Sequence, residues 1–362
     1  LLTMVVGMFC WWKFSKNGTN KYYTIEVEEN GSLTIVDKAN NVTYKNQGIL
    51  VENGDDGDSF NYSPPRKDME VFSNESKCTV KISGSDIYDQ AEIHFDMVVP
   101  ADLDERAEGK VSVTMLVDMT VALRKDSKVI DFNVKVDNKG LSHRLCVLFD
   151  SQIVSAFNYA DQQFGLIKRP NYYEKEMKLY MESMNNKTEK KAGIQELANW
   201  ANDQSTWQEP PISIEPTQSY VSLTDGKTGI AVIPQGVREY EVLDDSKIRL
   251  TLFRTYGFMG KENLIYRPGR ASGERIIETP AAQLLKEMEF NFGFTSYAGD
   301  INDSDIDTLA KQYNTNLEVY TYAEFLNGRL IFSQREIEGQ NAKIHSLFET
   351  EGNLVVSAVK KA

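Results

Sequence analysis

The stretch Ile49 to Pro65, ILVENGDDGDSFNYSPP, decides how the rest of the chain is read. An apolar strand end (Ile49, Leu50, Val51) runs into Asn53-Gly54 and Asp55-Asp56-Gly57-Asp58, passes the aromatics Phe60 and Tyr62, and stops at Pro64-Pro65. Asn-Gly and Asp-Gly suit tight turns because glycine tolerates positive φ and the Asn/Asp side chains bond nearby backbone N–H groups. Glu52, Asp55, Asp56 and Asp58 would repel one another unless a cation, an arginine or a polyol shares the site. A solvated acidic turn, a calcium loop and a sugar-facing loop all answer to this composition. The calcium reading lacks the Glu that such a loop needs after Asp56-Gly57-Asp58.

Working outward, short alternating segments dominate. Tyr23, Ile25 and Val27 alternate with polar residues, Glu29-Asn30-Gly31-Ser32 turns the chain, and Leu33 and Ile35 resume, the pattern of a β-hairpin. Period-2 patterning continues at Cys78–Ile82, Ala91–Val99, Lys110–Leu123 and Lys128–Val136, then at Ser219–Leu223, Gly229–Ile233, Glu239–Leu243 and Ile248–Phe253. Regular short strands separated by turns imply an all-β, antiparallel sandwich and not a βαβ array. Glu174 to Asp203, rich in Glu, Lys, Met, Leu and Ala, reads as one or two short helices or as a mobile insertion with Asn185-Asn186 at its tip. Ser304–Tyr313 reads as a helix capped by Ser304.

A net charge of −13 without a basic stripe disfavours nucleic acid as a partner. Three scattered cysteines (Cys10, Cys78, Cys146) argue against a disulfide framework and favour a reducing, cytoplasmic compartment. The apolar run at residues 1–12 is too short to span a bilayer, so no membrane partner is expected. Three histidines (His94, His143, His345), with no paired spacing, give no sign of a metal site.

Taken in order, NGSLTIVDK (Asn30–Lys38), GDDGDSFNYSPP, FNVKVDNKGLSHRLCVLF (Phe132–Phe149), ADQQFGLIKR (Ala160–Arg169), GIAVIPQGVREYEV (Gly229–Val242), LTLFRTYGFMGKENLIYRPGR (Leu250–Arg270) and NLVVSAVKKA (Asn353–Ala362) resemble the C-terminal β-region of the family 38 glycoside hydrolases, the α-mannosidases. The resemblance covers roughly residues 20–362. It implies a galactose mutarotase-like supersandwich over 18–362 with the insertion at 174–203; residues 1–17, which do not match the family pattern, read as a truncated apolar extension that packed on a preceding domain. It also implies a retaining α-mannosidase whose zinc ligands and nucleophile belong to an N-terminal catalytic domain outside this chain. On that reading the chain alone is inactive and carries no cofactor. It braces its own N-terminal catalytic domain and completes the pocket for a mannoside or oligosaccharide, and it can form homo-oligomers.

Candidate substrate-binding residues follow. Asp161, Gln163 and Phe164 join a carboxylate, an amide and an aromatic ring ahead of Gly165, with Arg169 placed to pair with Asp161 or to reach a ligand. A hydrogen-bonded β-turn is the plainer account of that loop. Arg254 and Tyr256 leave a strand end, and the family uses β-region residues of this kind at its pocket. Asp56 and Asp58 face a sugar on the third reading of the acidic loop. Two carboxyls about 5 Å apart could also form a hydrolytic pair, but the family places its pair elsewhere. His143, preceded by Ser142 where the family often has an acid, reads as a buried structural histidine without a charged partner. Arg267 and Arg270 around Pro268-Gly269 read as a surface or docking turn, and Trp207 as the anchor of a Pro-rich connector.

Overall fold

The computed structural model describes residues 20–186, 209–267, 276–315 and 351. The chain divides into two compact units, residues 1–316 and 317–362, and apart from Glu351 the described residues lie in the first. The expectations for residues 1–17, Trp207, Arg270 and the segment 353–362 therefore fall outside the described residues.

Every strand pairing in the described sheets is antiparallel. In chain order the strands are β1 (Tyr23–Val27), β2 (Leu33–Asp37), β3 (Val42–Gln47), β4 (Ile49–Gly54), β5 (Val71–Phe72), β6 (Lys77–Gly84), β7 (Tyr88–Val99), β8 (Val113–Arg124) and β9 (Ile130–Asp137). They continue with β10 (His143–Asp150), β11 (Phe157–Gln162), β12 (Gly165–Pro170), β13 (Glu215–Pro216), β14 (Val221–Thr224), β15 (Thr228–Gln235), β16 (Glu239–Leu243), β17 (Lys247–Arg254) and β18 (Glu287–Ala298). Helices α1 (Leu103–Glu108), α2 (Glu174–Asn186) and α3 (Ile306–Asn314) interrupt them. The strands form a nine-stranded sheet in the order β12-β11-β14-β15-β18-β9-β8-β7-β6, a six-stranded sheet β13-β16-β17-β10-β4-β5, and a three-stranded sheet β1-β2-β3.

Alternation builds the layers. On β7, Ala91, Ile93, Phe95, Met97 and Val99 are buried while Gln90, Glu92, His94 and Asp96 face outward. The two large sheets meet through aromatic rings. Phe149 of β10 lies 5.3 Å from Phe132 (β9) and 6.0 Å and 5.4 Å from Phe292 and Phe294 (β18), and all four are essentially fully buried. Rings of this size dominate the burial energy of a sandwich core. The small sheet adds Tyr23, Ile25, Leu33 and Ile35 to the same core, and its turn needs Gly31, at φ +81°. β15 is covered on both faces: Ile230 and Val232 join the main core, while Ala231 and Ile233 pack in a second cluster with Ile306 and Ala310 of α3. The helix expected from Ser304 begins one residue later than read, with Asp305 as its N-cap and no side-chain capping bond.

Candidate functional site

Strand β4 carries the chain into the acidic loop, and the loop is closed by cations from about 200 residues away. The Asp55 carboxylate accepts from Arg254 Nε at 2.6 Å and Nη2 at 3.2 Å, and from the Gly57 N–H at 2.8 Å. Arg254 Nη2 also donates to the carbonyls of Asp58 (3.0 Å) and Asn61 (2.9 Å), so one guanidinium orders the whole turn. Asp58 takes the N–H groups of Phe60 (2.9 Å), Asn61 (3.1 Å) and Lys261 (2.9 Å) and an ion pair with Arg267. Asp56 pairs with Lys261 Nζ. Gly57 is required here by space: a Cβ would stand 2.0 Å from the Asn61 carbonyl oxygen and 2.8 Å from Arg254 Nη2.

The electrostatics divide the two buried aspartates. Burial pushes the Asp55 carboxyl above the ordinary carboxylate range while Arg254 pulls it back. For Asp58 burial acts in the same sense, but the Arg267 guanidinium and the three backbone N–H groups prevail and hold it below that range. The repulsion expected among the carboxylates is thus relieved by the chain's own arginines and lysine. Arg267, read from the sequence as a surface arm, is instead almost fully buried against Asp58 and Asn61.

Beneath the loop, a second network corrects the reading of His143. Its partner acid is Glu52, not the residue before it: Nδ1 lies 2.9 Å from Glu52 Oε1, and Nε2 lies 2.8 Å from Asn138 Oδ1. Glu52 also pairs with Arg106, the buried arginine of α1. Arg144 donates to Asn53 (3.0 Å) and Glu241 (2.8 Å) and lies 3.9 Å from the centroid of the Tyr62 ring. Tyr62 is thereby spent inside. Phe60 points out, at 60% exposure.

The eight predicted residues fall into two groups. Asp56, Asp58, Arg254 and Tyr256 gather at the acidic loop, with Arg254 5.4 Å from the Tyr256 ring centroid. Asp161, Gln163, Phe164 and Arg169 belong to the β11–β12 hairpin on the edge of the other large sheet. There Asp161 accepts from Ser219 Oγ at 2.6 Å, and Gln163 and Phe164 form the two-residue tip, Phe164 fully exposed. Arg169 does not pair with Asp161. The strand register sets it opposite Asn158, and it binds the Pro216 carbonyl (2.8 Å), Tyr240 OH (3.1 Å) and Glu215 (3.4 Å). Lys261 and Arg106, far away in the chain, were not legible as members of the site; Glu52 was read only as one of the loop's carboxylates.

The loop also grips the residues that follow β17 through Ser59, whose hydroxyl donates to the Met259 carbonyl at 2.6 Å and whose N–H donates to the Phe258 carbonyl at 3.2 Å. Among the described residues no group of three or more His, Cys, Asp or Glu side chains is placed to hold a metal ion. Nor is any helix among them long and apolar enough to cross a membrane.

The described strands thus build an all-β, antiparallel sandwich whose acidic loop is neutralised by Arg254, Lys261 and Arg267. The model of the glycosyl hydrolases family 38 C-terminal domain matches residues 19–258, and the chain belongs to that family. It is 23% identical over 306 residues to a protein of Halalkalibacterium halodurans named "Putative mannosylglycerate hydrolase", covering 79% of this chain and 29% of that protein. Among solved structures, an alpha-mannosidase from Enterococcus faecalis V583 matches at a TM-score of 0.64 and 21% identity, over 82% of this chain and 31% of that one. A second family 38 structure from Enterococcus faecalis agrees, at 0.64 and 21%, over 82% and 32%. The chain thus spans less than a third of the length of these relatives.

Proposed function

We propose that this chain is the C-terminal β-region of a retaining α-mannosidase, which braces an N-terminal catalytic domain and completes its sugar pocket. The observation that carries the reading is the acidic loop. Its buried carboxylates are consumed by Arg254 and Arg267, which leaves it unsuited to acid–base hydrolysis but stiff enough to hold Phe60 outward. An aromatic ring offers its face to the apolar side of a pyranose, and Phe60 stands exposed for such a contact. The name of the Halalkalibacterium relative makes mannosylglycerate the first substrate to try.

The test is to express the segment with and without the upstream part of its gene and to assay both on aryl α-mannoside and mannosylglycerate, with zinc and with a chelator. Activity confined to the extended, metal-loaded protein supports the reading. Turnover by the 362-residue chain alone sinks it. Binding of mannoside by the chain, with no turnover in either form, would favour a carbohydrate-binding module.

A further inference from the structure

A second polar constellation occupies the outward face of the nine-stranded sheet. Strand register places Thr79, His94 and Asp118 abreast on β6, β7 and β8, with Lys135 of β9 next in line. The neighbouring row is Lys81, Glu92, Thr120 and Asn133. Together these two rows line a concavity of about 510 Å³.

Its side chains are fixed by one another. His94 Nδ1 lies 2.6 Å from Asp118 Oδ1 and Nε2 lies 3.2 Å from Asp96 Oδ1, and the Asp118 hydrogen bond leads the effects that raise the imidazole pKa. Lys81 and Gln90 donate to Glu92 at 3.1 Å and 3.0 Å. The Asn133 amide donates to Glu289 (2.7 Å) and Asn291 (2.8 Å) on β18.

The chemistry narrows the ligand by elimination. Cations (Lys81, His94, Lys135) alternate with carboxylates (Glu92, Asp96, Asp118), so neither an anion nor a cation finds a field of one sign. No Phe, Tyr or Trp lines the concavity, so a planar apolar ligand gains little. Closely interleaved donors and acceptors suit a molecule whose every hydroxyl both donates and accepts. Strands about 4.8 Å apart let one sugar ring reach side chains on two or three of them.

We propose that this face binds a neutral pyranoside through Glu92, His94 and Asp118, at a site separate from the Phe60 rim. The proposal does not rest on the catalytic assignment above.

The experiment is an NMR titration of the 362-residue chain, labelled at histidine, with methyl α-mannopyranoside. Its three histidines allow the His94 resonances to be assigned with the H94Q variant. The expected result is a saturable shift of the His94 ring signals, with the apparent Kd about tenfold weaker in E92Q and in D118N, the loss of roughly one charge-assisted hydrogen bond. Both positions are solvent-exposed, and the Phe60→Ala variant should leave this titration unchanged. His94 signals that stay still, or that titrate with the wild-type Kd in E92Q and in D118N, overturn the proposal and leave the face as a ladder of weak surface ion pairs. Loss of the shift in the Phe60→Ala variant would overturn it too, by moving the sugar to the rim.

Discussion

Arg254 and Asp55 meet in a two-point ion pair, Nε to Oδ2 at 2.6 Å and Nη2 to Oδ1 at 3.2 Å, and this pair joins the end of β17 to the turn that follows β4. Asp55 is fully buried. Removing the arginine strands a carboxylate that solvent cannot reach, together with the Asp58 and Asn61 carbonyls.

Arg254→Ala is therefore expected to cost about 3–5 kcal/mol in urea unfolding, the range for breaking a buried pair from one side. Arg254→Lys keeps the charge but not the fork and should recover only part of the loss. The double variant R254A/D55N should be more stable than R254A alone. A double variant no better than R254A would show that the pair is not what holds the loop.

Gly57→Ala should damage the loop by overlap, since its Cβ would meet the Asn61 carbonyl at 2.0 Å. A cost of about 1–3 kcal/mol is expected for such overpacking. Gly109→Ala is the control: nothing lies within 4 Å of its Cβ, and only the left-handed φ of +71° is strained, at about 1–2 kcal/mol. Equal thermal shifts with an intact loop in both variants would contradict the steric account.

Asp58 and His94 shape stability against pH in opposite senses. The folded pKa of Asp58 lies below its unfolded value of ~3.9, so its contribution is complete above that value and is lost as pH falls through the folded one. For His94, raised by Asp118 and Asp96, the contribution is complete below the unfolded value of ~6.5 and is lost as pH rises through the folded one. Melting curves between acid and mildly alkaline pH should show H94Q flattening the neutral-to-alkaline limb and D58N the acid limb. Unchanged limbs would show that neither group is coupled to folding.

Phe149→Ala removes the one ring of β10 that reaches Phe132, Phe292 and Phe294 across the two large sheets. A loss of about 3–5 kcal/mol is expected in equilibrium unfolding. A loss below 1 kcal/mol would mean that the two sheets do not share this core.

The strands most legible in the sequence are those with one wet face. β7, β8 and β9 alternate cleanly because their outward positions reach solvent. β10 did not stand out because it is the central strand of its sheet and is covered on both faces from His143 to Val147, which erases the period of two. The short helix α1 escaped notice although Asp102 caps it, accepting from the N–H groups of Asp104 and Glu105, and Gly109 ends it. At the acidic loop the need for a counter-charge was readable, but its source was not. Arg254 and Arg267 are 199 and 209 residues away from the aspartates they bind; the pairing of β17 with β10 and of β10 with β4 brings Arg254 there, and the segment after β17 brings Arg267. Pairing of β4 with β10 likewise brings together Glu52 and His143, 91 residues apart, with Glu52 opposite Leu145 and so two positions along from His143.

That this chain completes a sugar pocket is tested most directly by the steady-state kinetics of Phe60→Ala in the extended protein on aryl α-mannoside. The ring is exposed, so its loss should leave the melting temperature nearly unchanged. The account predicts a fall in kcat/KM of about tenfold or more, the loss of one stacking surface from the transition state. Wild-type kinetics in this variant would contradict it and leave the loop as a brace alone.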